Sequence, residues 1–324
     1  MASTHPERRT TTLRLPGTRR TSSAPPCRRR DTSARMPEVI VVGWPSNATN
    51  ALLVSHWRTQ GVVATLLTPP DAESAATAGD VVLGRLDVLP GLDGIEGGLL
   101  TLHRLKRRGI RVLNRASALI AVHDKLLTAR RLTETGLPHP RSASWSGDGV
   151  PPLEPPVVLK PRFGSWGRDV LLCEDLSQLA QAIKAVRARP WFRRHGAVLQ
   201  ALVPPRGYDL RLLVAAGQVV GASERVAARG EWRTNVALGG NLRSVEPPPA
   251  ARSLAIAAAA AVGADLVGVD LLPCDDGYTV LELNGAVDFD ERYSLGEGDL
   301  YLDIATALAL PIPDARPRSA SGRV

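Results

Sequence analysis

Two neighbouring segments in the C-terminal third of the chain carry oxygen ligands. Asp270 lies inside an otherwise apolar run, and Glu282 and Asn284 lie two positions apart in the next run. Because side chains alternate across a strand, Glu282 and Asn284 share one face, and a hairpin register can place Asp270 opposite Glu282. Two carboxylates and an amide oxygen suit Mg²⁺ that bridges nucleotide phosphates. Pairing of the carboxylates with arginine on an exposed sheet face explains the same spacing equally well.

A lysine precedes a glycine-containing loop near the middle of the chain. Lys160 ends the apolar run 157–160 and leads into the segment with Gly164 and Gly167. Its ammonium group can neutralise phosphate charge while N–H groups of the loop cover a nucleotide. For a lone lysine in this setting, a solvated strand end is the favoured alternative. Lys125, which begins a helical segment, has the comparable alternative of an exposed helix face.

Arginine residues concentrate in the segment that follows. Asp209 and Arg211 alternate with leucines, so both polar groups lie on one side of a strand, and Arg225 follows on the neighbouring strand. Together with Arg233 and Asn235 they predict a pocket rich in guanidinium groups, which bind carboxylate and phosphate oxygens through a planar fork. Each of these residues, taken singly, also suits a structural salt bridge.

Alternating apolar runs and helical segments must position these groups. Residues 37–117 alternate short buried-strand patterns with helices, which predicts an open parallel sheet. The first turn reads GWPSNATN and lacks the GxGxxG pattern, so NAD binding is not predicted. Residues 118–202 and 203–312 combine hairpins with helices and predict two α+β lobes. The expected fold class is therefore α/β followed by α+β.

Most of the net charge of +8 lies in one segment, because residues 1–36 contain nine Arg and only two acidic residues. This distribution argues against nucleic-acid binding by the folded part. The Arg-, Ser-, Thr- and Pro-rich composition predicts disorder for residues 1–36, and a second disordered tail is expected at 313–324. Met36 directly precedes the first strand, so a start of translation there is equally expected.

Several classes of protein are disfavoured. The three cysteines are far apart and show neither disulfide nor zinc spacing, which predicts a reducing compartment. No apolar run is long enough to span a bilayer, so neither a membrane partner nor a membrane location is expected. We expect a cytoplasmic protein. GxSxG, HExxH and Walker A patterns are absent, which disfavours hydrolases and P-loop proteins.

Taken together, these motifs resemble the ATP-grasp superfamily, and within it the RimK-type ligases, which include glutamate-adding and LysX-like enzymes. The resemblance spans residues 38–310 and rests on the order of HDKLLTARRLTETGLPHP, VVLKPRFGSWGRDV, YDLRLLV, WRTNVALGG and GVDLLPCDDGYTVLELNGAVDF. It implies an ATP-grasp fold with an N-terminal pre-ATP-grasp domain at 37–117. Lobes at 118–202 and 203–312 would clasp ATP.

The resemblance implies roles by matched position. Lys125 and Lys160 resemble two lysines that contact phosphate. The flexible loop over the phosphates corresponds to Gly164, Ser165, Trp166 and Gly167. Gln200 and Ala201 lie where the linker between lobes meets adenine and ribose, although many relatives have an acid at the position of Gln200, which puts ribose binding in doubt.

The second lobe supplies the remaining roles. Asp209 resembles a polar residue on the nucleotide side. Groups that hold phosphate and the acyl intermediate correspond to Arg211, Arg233 and Asn235, with the two arginines as catalytic residues. The metal ligands correspond to Asp270, Glu282 and Asn284. The implied cofactors are ATP and Mg²⁺ or Mn²⁺, with two ions.

The resemblance implies a ligase that phosphorylates a carboxylate with ATP and joins the acylphosphate to an amine, with glutamate as one candidate substrate. The acceptor would be an amino acid, a peptide or a protein, and self-association is an open expectation. Gln200 and the segment LNGAVDFDERYSL leave the alternative of an ATP-grasp-like nucleotide-binding or regulatory protein with impaired turnover. Intact Lys160, Glu282 and Asn284 count against it. A third hypothesis, weaker than these, is attachment to nucleic acid through the Arg-rich tail.

Overall fold

Three β-sheets form the framework of residues 35–313, which are the residues that the computed structural model describes. The chain divides into two units, Met1–Arg35 and Met36–Val324, and all elements named here belong to the second. The two tails predicted to be disordered lie outside the described residues, apart from their innermost positions. The domain boundaries near 117, 202 and 312 stay predictions.

The first sheet is parallel, as the alternating pattern predicts, with strand order β2-β1-β3-β4. Its strands are β1 (Val39–Val42), β2 (Ala64–Leu67), β3 (Val81–Gly84) and β4 (Arg111–Leu113). The helices in this region are α1 (Ala48–Thr59), α2 (Pro69–Ala75) and α3 (Leu99–Arg107). Every residue of β1 and β3 is buried, because helices cover both faces of such a sheet. The sequence reading missed α2, which begins with two prolines that are favourable in a first helical turn.

The second sheet is antiparallel, with strand order β5-β8-β6-β7. Its strands are β5 (Ser142–Trp145), β6 (Val157–Pro161), β7 (Leu171–Cys173) and β8 (Ala197–Ala201). The helices of this region are α4 (Ala116–His123), α5 (Lys125–Glu134), α6 (Leu176–Val186) and α7 (Pro190–His195). The lobe contains a hairpin, as predicted, since β6 and β7 pair on either side of the glycine-containing loop.

The third sheet has strand order β11-β10-β9-β12-β13 and is also antiparallel. Its strands are β9 (Tyr208–Ala215), β10 (Gln218–Val226), β11 (Asn241–Ser244), β12 (Leu266–Cys274) and β13 (Gly277–Asn284). Two helices complete the region, α8 (Pro249–Val262) and α9 (Leu300–Ala307). The small alanine side chains of α8 lie in the buried core that this helix shares with the sheet.

One hydrophobic core joins the first sheet to the third. It contains Val41 of β1, Leu213 of β9 and Ile304 of α9. Within it, the indole N–H of Trp57 donates to the carbonyl of Tyr301 at 2.9 Å. The two sheets are therefore packed together through α9. No helix between residues 35 and 313 is long and apolar enough to cross a membrane.

A buried asparagine ties the end of β4 to the start of β12. The Asn114 amide donates to the Leu266 carbonyl at 2.7 Å, and its side-chain oxygen accepts from the backbone N–H groups of Asp265 and Leu266. Asn114 is fully buried and has a φ of 49°, which asparagine tolerates better than most residues. At this junction the Asn114 side chain supplies hydrogen-bond partners for backbone groups of β12 and the residue before it, where neither strand supplies a backbone partner.

Replacing Asn114 with alanine should lower the free energy of unfolding by roughly 2–4 kcal/mol, because two buried N–H groups and one carbonyl lose their partner. Denaturant unfolding would measure the change. The exposed Asn241 offers a matched control, and Asn241→Ala should cost less than about 0.5 kcal/mol. Equal stability of the two variants would contradict the role given to Asn114.

Candidate active site

Polar side chains form a row across the third sheet. Arg211 on β9 stands opposite Asp270 on β12, and Asp270 stands opposite Glu282 on β13. Residues directly opposite each other project from the same face, so the predicted hairpin register is confirmed. On the other side of the row, Arg225 of β10 stands opposite Asp209 of β9.

Two buried carboxylates and two arginines interlock in this row. Arg211 donates through Nε and Nη2 to the two oxygens of Asp270, each at 2.7 Å. Arg225 bonds both oxygens of Asp209 and also donates to Asp270 at 2.7 Å. Thr234 adds a hydroxyl donor to Asp209 at 2.7 Å. Such forked, charge-assisted hydrogen bonds are among the strongest polar contacts in proteins.

The arginines keep Asp270 ionised although only 1% of it is exposed. Burial by itself would raise the pKa of this carboxyl, but the charges and hydrogen bonds of Arg211 and Arg225 outweigh burial and lower the pKa to about 2. Asp270 therefore has the arginine partners that the alternative interpretation foresaw, on a buried face and not an exposed one. Its role as a direct metal ligand stays a prediction.

Glu282 and Asn284 are placed differently, at the open edge of the row. Glu282 Oε2 lies 3.5 Å from Lys125 Nζ. Within residues 35–313 the Asn284 side chain makes no hydrogen bond, so its amide oxygen is free to bind a ligand. The two residues are neighbours on one face of β13, as the sequence predicted.

Lys160 projects from β6 into the protein and is only 4% exposed, so the interpretation as a solvated strand end is wrong. Its Nζ donates to Gln200 Oε1 at 2.7 Å, and Gln200 Nε2 donates to Ser142 at 3.0 Å. Burial, and then repulsion by Lys125, lowers the pKa of Lys160 to about 7, against the opposing attraction of Glu282. The oxygen and the nitrogen of the Gln200 amide therefore both have hydrogen-bond partners inside the protein. The side chain holds Lys160 in place.

Two residues of the third-sheet region hold the loop 164–167. Arg233 donates through Nη1 to the carbonyls of Gly167 and Val170, at 3.0 and 3.3 Å, while its other nitrogens bind Glu231. Gly167 has a φ of 68°, and a Cβ there would lie 2.7 Å from Asn235 Oδ1, so a larger residue would be strained and would displace that side chain. Arg233 and Asn235 therefore contact the loop directly, a role that the sequence did not suggest.

A cleft of about 930 Å³, including its space open to solvent, lies between the second and third sheets. It is large enough for a nucleotide. The residues predicted to bind the cofactor that line it are Lys125, Lys160, Gly164, Ser165, Gly167, Gln200, Ala201, Asp209, Arg233 and Asn235. Trp166 is the exception, because its side chain lines a neighbouring cavity.

Sequence reasoning missed the apolar walls of this cleft. They are formed by Val158, Leu202, Val203, Tyr208, Leu272 and Leu281, with Trp232 at the loop. Apolar residues in strands look like ordinary core, so the sequence contains no signal that separates them. Leu202 and Val203 directly follow the predicted linker at Ala201, which is the one clue that could have identified them.

A second cavity, of about 1120 Å³ by the same measure, adjoins the cleft. Four residues line both spaces: Ser165, Arg225, Asn235 and Glu282. Arg211, Asn284 and Trp166 line only the second cavity. The lysines thus face one space and the free amide of Asn284 faces the other, with Glu282 between them.

Residues 140–308, more than half of the chain, match the family model for a RimK-like ATP-grasp domain. The chain belongs to the RimK-like ATP-grasp family. It is 30% identical over 241 residues to N-acetylaspartylglutamate synthase A of Mus musculus, a match over 71% of this chain and 62% of that protein. It is 32% identical over 199 residues to a probable alpha-L-glutamate ligase of Parasynechococcus marenigrum, over 58% of this chain and 41% of that one. The chain thus spans less than two thirds of these relatives.

Solved structures confirm the ATP-grasp fold. The crystal structure of a D-cycloserine synthetase superposes with a TM-score of 0.63 at 21% identity, covering 84% of this chain and 98% of the other. A RimK-domain ATP-grasp protein from Sphaerobacter thermophilus gives 0.59 at 23% identity, with coverage of 84% and 98%. Like other members of the RimK-like ATP-grasp family, the protein is expected to use ATP with a divalent cation.

The residues at the open edge fit such a cation. Glu282 and Asn284 offer adjacent hard oxygen ligands next to the end of the cleft that Lys125 lines. Asp270 fits less directly, because both of its oxygens already accept hydrogen bonds from arginines. Among residues 35–313, no three His, Cys, Asp or Glu side chains converge in a preformed metal cluster. Any site here therefore combines carboxylate and amide ligands from the protein with other oxygens.

Asp270→Asn should destabilise this RimK-like protein by about 3–5 kcal/mol, because it leaves two buried guanidinium groups without their shared counter-charge. Glu282→Gln, at the open edge of the same row, should change stability by less than about 1 kcal/mol. Denaturant unfolding of the two variants would check this difference. An undiminished stability of Asp270→Asn would show that the arginines do not need Asp270.

Nucleotide affinity should depend on pH through Lys160. In the free protein its pKa is about 7, and phosphate would raise that pKa by favouring the charged ammonium. Binding above pH 7 then requires proton uptake, so the Kd for Mg·ADP should rise, approaching tenfold per pH unit from about pH 7.5 to 8.5. Calorimetric titration would measure it. Lys160→Arg stays charged and should bind with little pH dependence; an equally steep profile for it would assign the titration to another group.

Proposed function

We propose that the protein is an ATP- and Mg²⁺-dependent carboxylate–amine ligase that forms an amide bond through an acylphosphate. The observation that carries this proposal is the shared wall between the two cavities. Glu282 and Arg225 border both spaces, so a nucleotide phosphate in one would meet a carboxylate in the other. A protein that bound a nucleotide without a reaction would not require a second cavity beside it.

The nucleotide would lie in the cleft between the second and third sheets. Its apolar walls suit a base, and the lysines at its inner end suit phosphate. Lys160 is buried beside a neutral amide and a second lysine, so a bound phosphate would supply the counter-charge that it lacks. Gly164, Ser165 and Gly167 would cover the phosphates.

The carboxylate substrate would lie in the second cavity beside Arg211. Its oxygen attacks the γ-phosphorus of ATP, and ADP leaves with the electrons of the broken P–O bond. The substrate amine, after its ammonium group has lost a proton to solvent, then attacks the acyl carbon. The bond from that carbon to the phosphate oxygen breaks, and phosphate leaves with the proton that the nitrogen loses. Arg211 Nη1 has no hydrogen-bond partner within the described residues, so it can hold the acyl or phosphoryl oxygen. Arg233 would act by fixing the loop.

The metal belongs at Glu282 and Asn284, with Asp270 behind them. Bound Mg²⁺ would neutralise the charge of the phosphoryl group in transfer. We further propose that the site holds two ions and that Mn²⁺ can replace Mg²⁺. The protein residues act mainly through position, as expected for phosphoryl transfer.

The names of the relatives support an amino acid as one substrate. Relatives are named N-acetylaspartylglutamate synthase A and probable alpha-L-glutamate ligase, which makes glutamate a candidate here. The acceptor would be a free amino acid, a peptide or a protein. A cytoplasmic location, where ATP is abundant, and association of copies into a homo-oligomer are also part of this proposal.

Asn284→Ala and Glu282→Ala should reduce Mg²⁺-dependent ADP release by at least about 100-fold while leaving the protein folded, because they remove the free ligands at the phosphate end. ADP release with pooled carboxylates and amino acids would measure this, and the mass of the product would identify the joined partners. Asn241→Ala is the control and should retain full activity. A wild-type protein that binds Mg·ATP but releases no ADP would instead support the nucleotide-binding or regulatory alternative.

A further inference from the structure

Three exposed apolar side chains surround the mouth of the second cavity. They are Leu52 of α1, Trp166 of the loop between β6 and β7, and Val236 of the short 3₁₀ turn Val236–Leu238, with exposed fractions of 40%, 52% and 47%. They come from three separate segments of the chain and meet at one opening. Leaving large apolar groups in water is unfavourable, and their convergence at a cavity marks a surface that a ligand covers.

The interior wall of the cavity continues this apolar character. Ala286, Val287 and Phe289 follow the end of β13, and Tyr293 also lines the cavity. All four are buried. A ligand in the cavity would therefore contact hydrocarbon and aromatic surface as well as polar groups.

Two acidic residues stand on the wall formed by the first sheet and the segment after β13. Asp87 follows β3, and one of its oxygens accepts from the Val88 N–H at 2.6 Å. Asp288 is exposed to the cavity and accepts from the Thr49 hydroxyl at 3.0 Å. Burial and the nearby charges of Asp288 and Glu96 outweigh the Val88 N–H and the charge of Arg85, and together these effects raise the pKa of Asp87 to about 6. Within residues 35–313, neither carboxylate has a Lys, Arg or His partner within 4.0 Å.

Three arginines that line the cavity are paired with protein carboxylates. Arg211 and Arg225 are paired with the buried aspartates, and Arg292 is paired with Asp290. Arg85, which lies behind the wall, is fully buried, bonds Asn50 and the Val287 carbonyl, and attracts both Asp87 and Asp288. One guanidinium group therefore faces two carboxylates, so the net charge of the wall is negative. It would repel the side-chain carboxylate of glutamate and attract an ammonium group.

We propose that the second cavity binds an amine substrate with an apolar body, whose ammonium group lies at Asp87 and Asp288 and whose hydrocarbon contacts Leu52, Trp166 and Val236. This inference rests on the proposed ligase function for the fate of the amine, and it departs from the glutamate named in the relatives. The shared chemistry is a primary ammonium on an apolar residue, whether a free amino acid or the first residue of a peptide.

Calorimetric binding of small amines, in the presence of Mg²⁺ and a non-hydrolysable ATP analogue, tests the cavity without turnover. Leucinamide should bind at least tenfold more tightly than glutamate. 4-Methylpentanamide, which has the same body and lacks the ammonium, should bind at least tenfold more weakly than leucinamide. Tighter binding of glutamate, or equal binding of the two amides, would overturn the proposal.

Variants assign the binding to these residues. Asp87→Asn and Asp288→Asn should each weaken leucinamide binding at least tenfold, and Val236→Ser should weaken it several-fold while glutamate binding stays unchanged. Glu297→Gln, an exposed acid away from the cavity, is the control and should bind like the wild type. Wild-type affinity in both aspartate variants, with their folding verified by thermal melts, would also overturn the proposal.

Parallel ADP-release assays separate this proposal from the function on which it rests. Ammonium-dependent binding of leucinamide without ADP release from any carboxylate would contradict the ligase function and leave the cavity assignment standing. Turnover with glutamate in preference to leucinamide would support the ligase and contradict the assignment. Leucine and leucylglycine in the same assay distinguish a free amino acid from a peptide as the source of the amine.

Discussion

The buried charge network of Arg211, Asp270, Arg225 and Asp209 is the constraint on which the site depends. Its residues come from β9, β10 and β12, so the forked hydrogen bonds form only when all three strands are in register. Buried ions are costly unless every charge is paired, which makes other registers unfavourable. With the network in place, Glu282 and Asn284 emerge at the free edge of the same face. The charges of the network neutralise one another inside the protein, so Glu282 and Asn284 remain available to bind a ligand.

Two adjoining cavities with different chemical linings lie next to this network. The cleft between the second and third sheets has apolar walls and two lysines, one of them buried without a negative partner of its own. The second cavity has free donors from Arg211 and Asn284, an apolar mouth and an acidic wall. Glu282 borders both. Because a transfer reaction needs two reactants held at van der Waals distance, this common border is more informative than either cavity by itself.

The structure gives Gln200 a role that the sequence did not predict. The resemblance to RimK-type ligases implied an acidic residue at this position and therefore a weakened contact to ribose. The structure shows the amide between Lys160 and Ser142, where it satisfies a buried ammonium without neutralising its charge. Under the proposed function, a bound phosphate would supply the negative partner that Lys160 lacks. Likewise, the proposed ammonium site rests on two carboxylates that face a single buried guanidinium group.

The sequence by itself determined the features that depend on local pattern. Alternating apolar runs predicted the parallel first sheet, and residue spacing predicted that Asp270 stands opposite Glu282. The order of motifs identified the family. What only the tertiary structure decided depends on segments distant along the chain: the burial of Lys160, the arginine partners of Asp270, and the position of Trp166 in the second cavity instead of the cleft. Burial and counter-charge are set by which surfaces pack together, and a strand pattern does not encode that information.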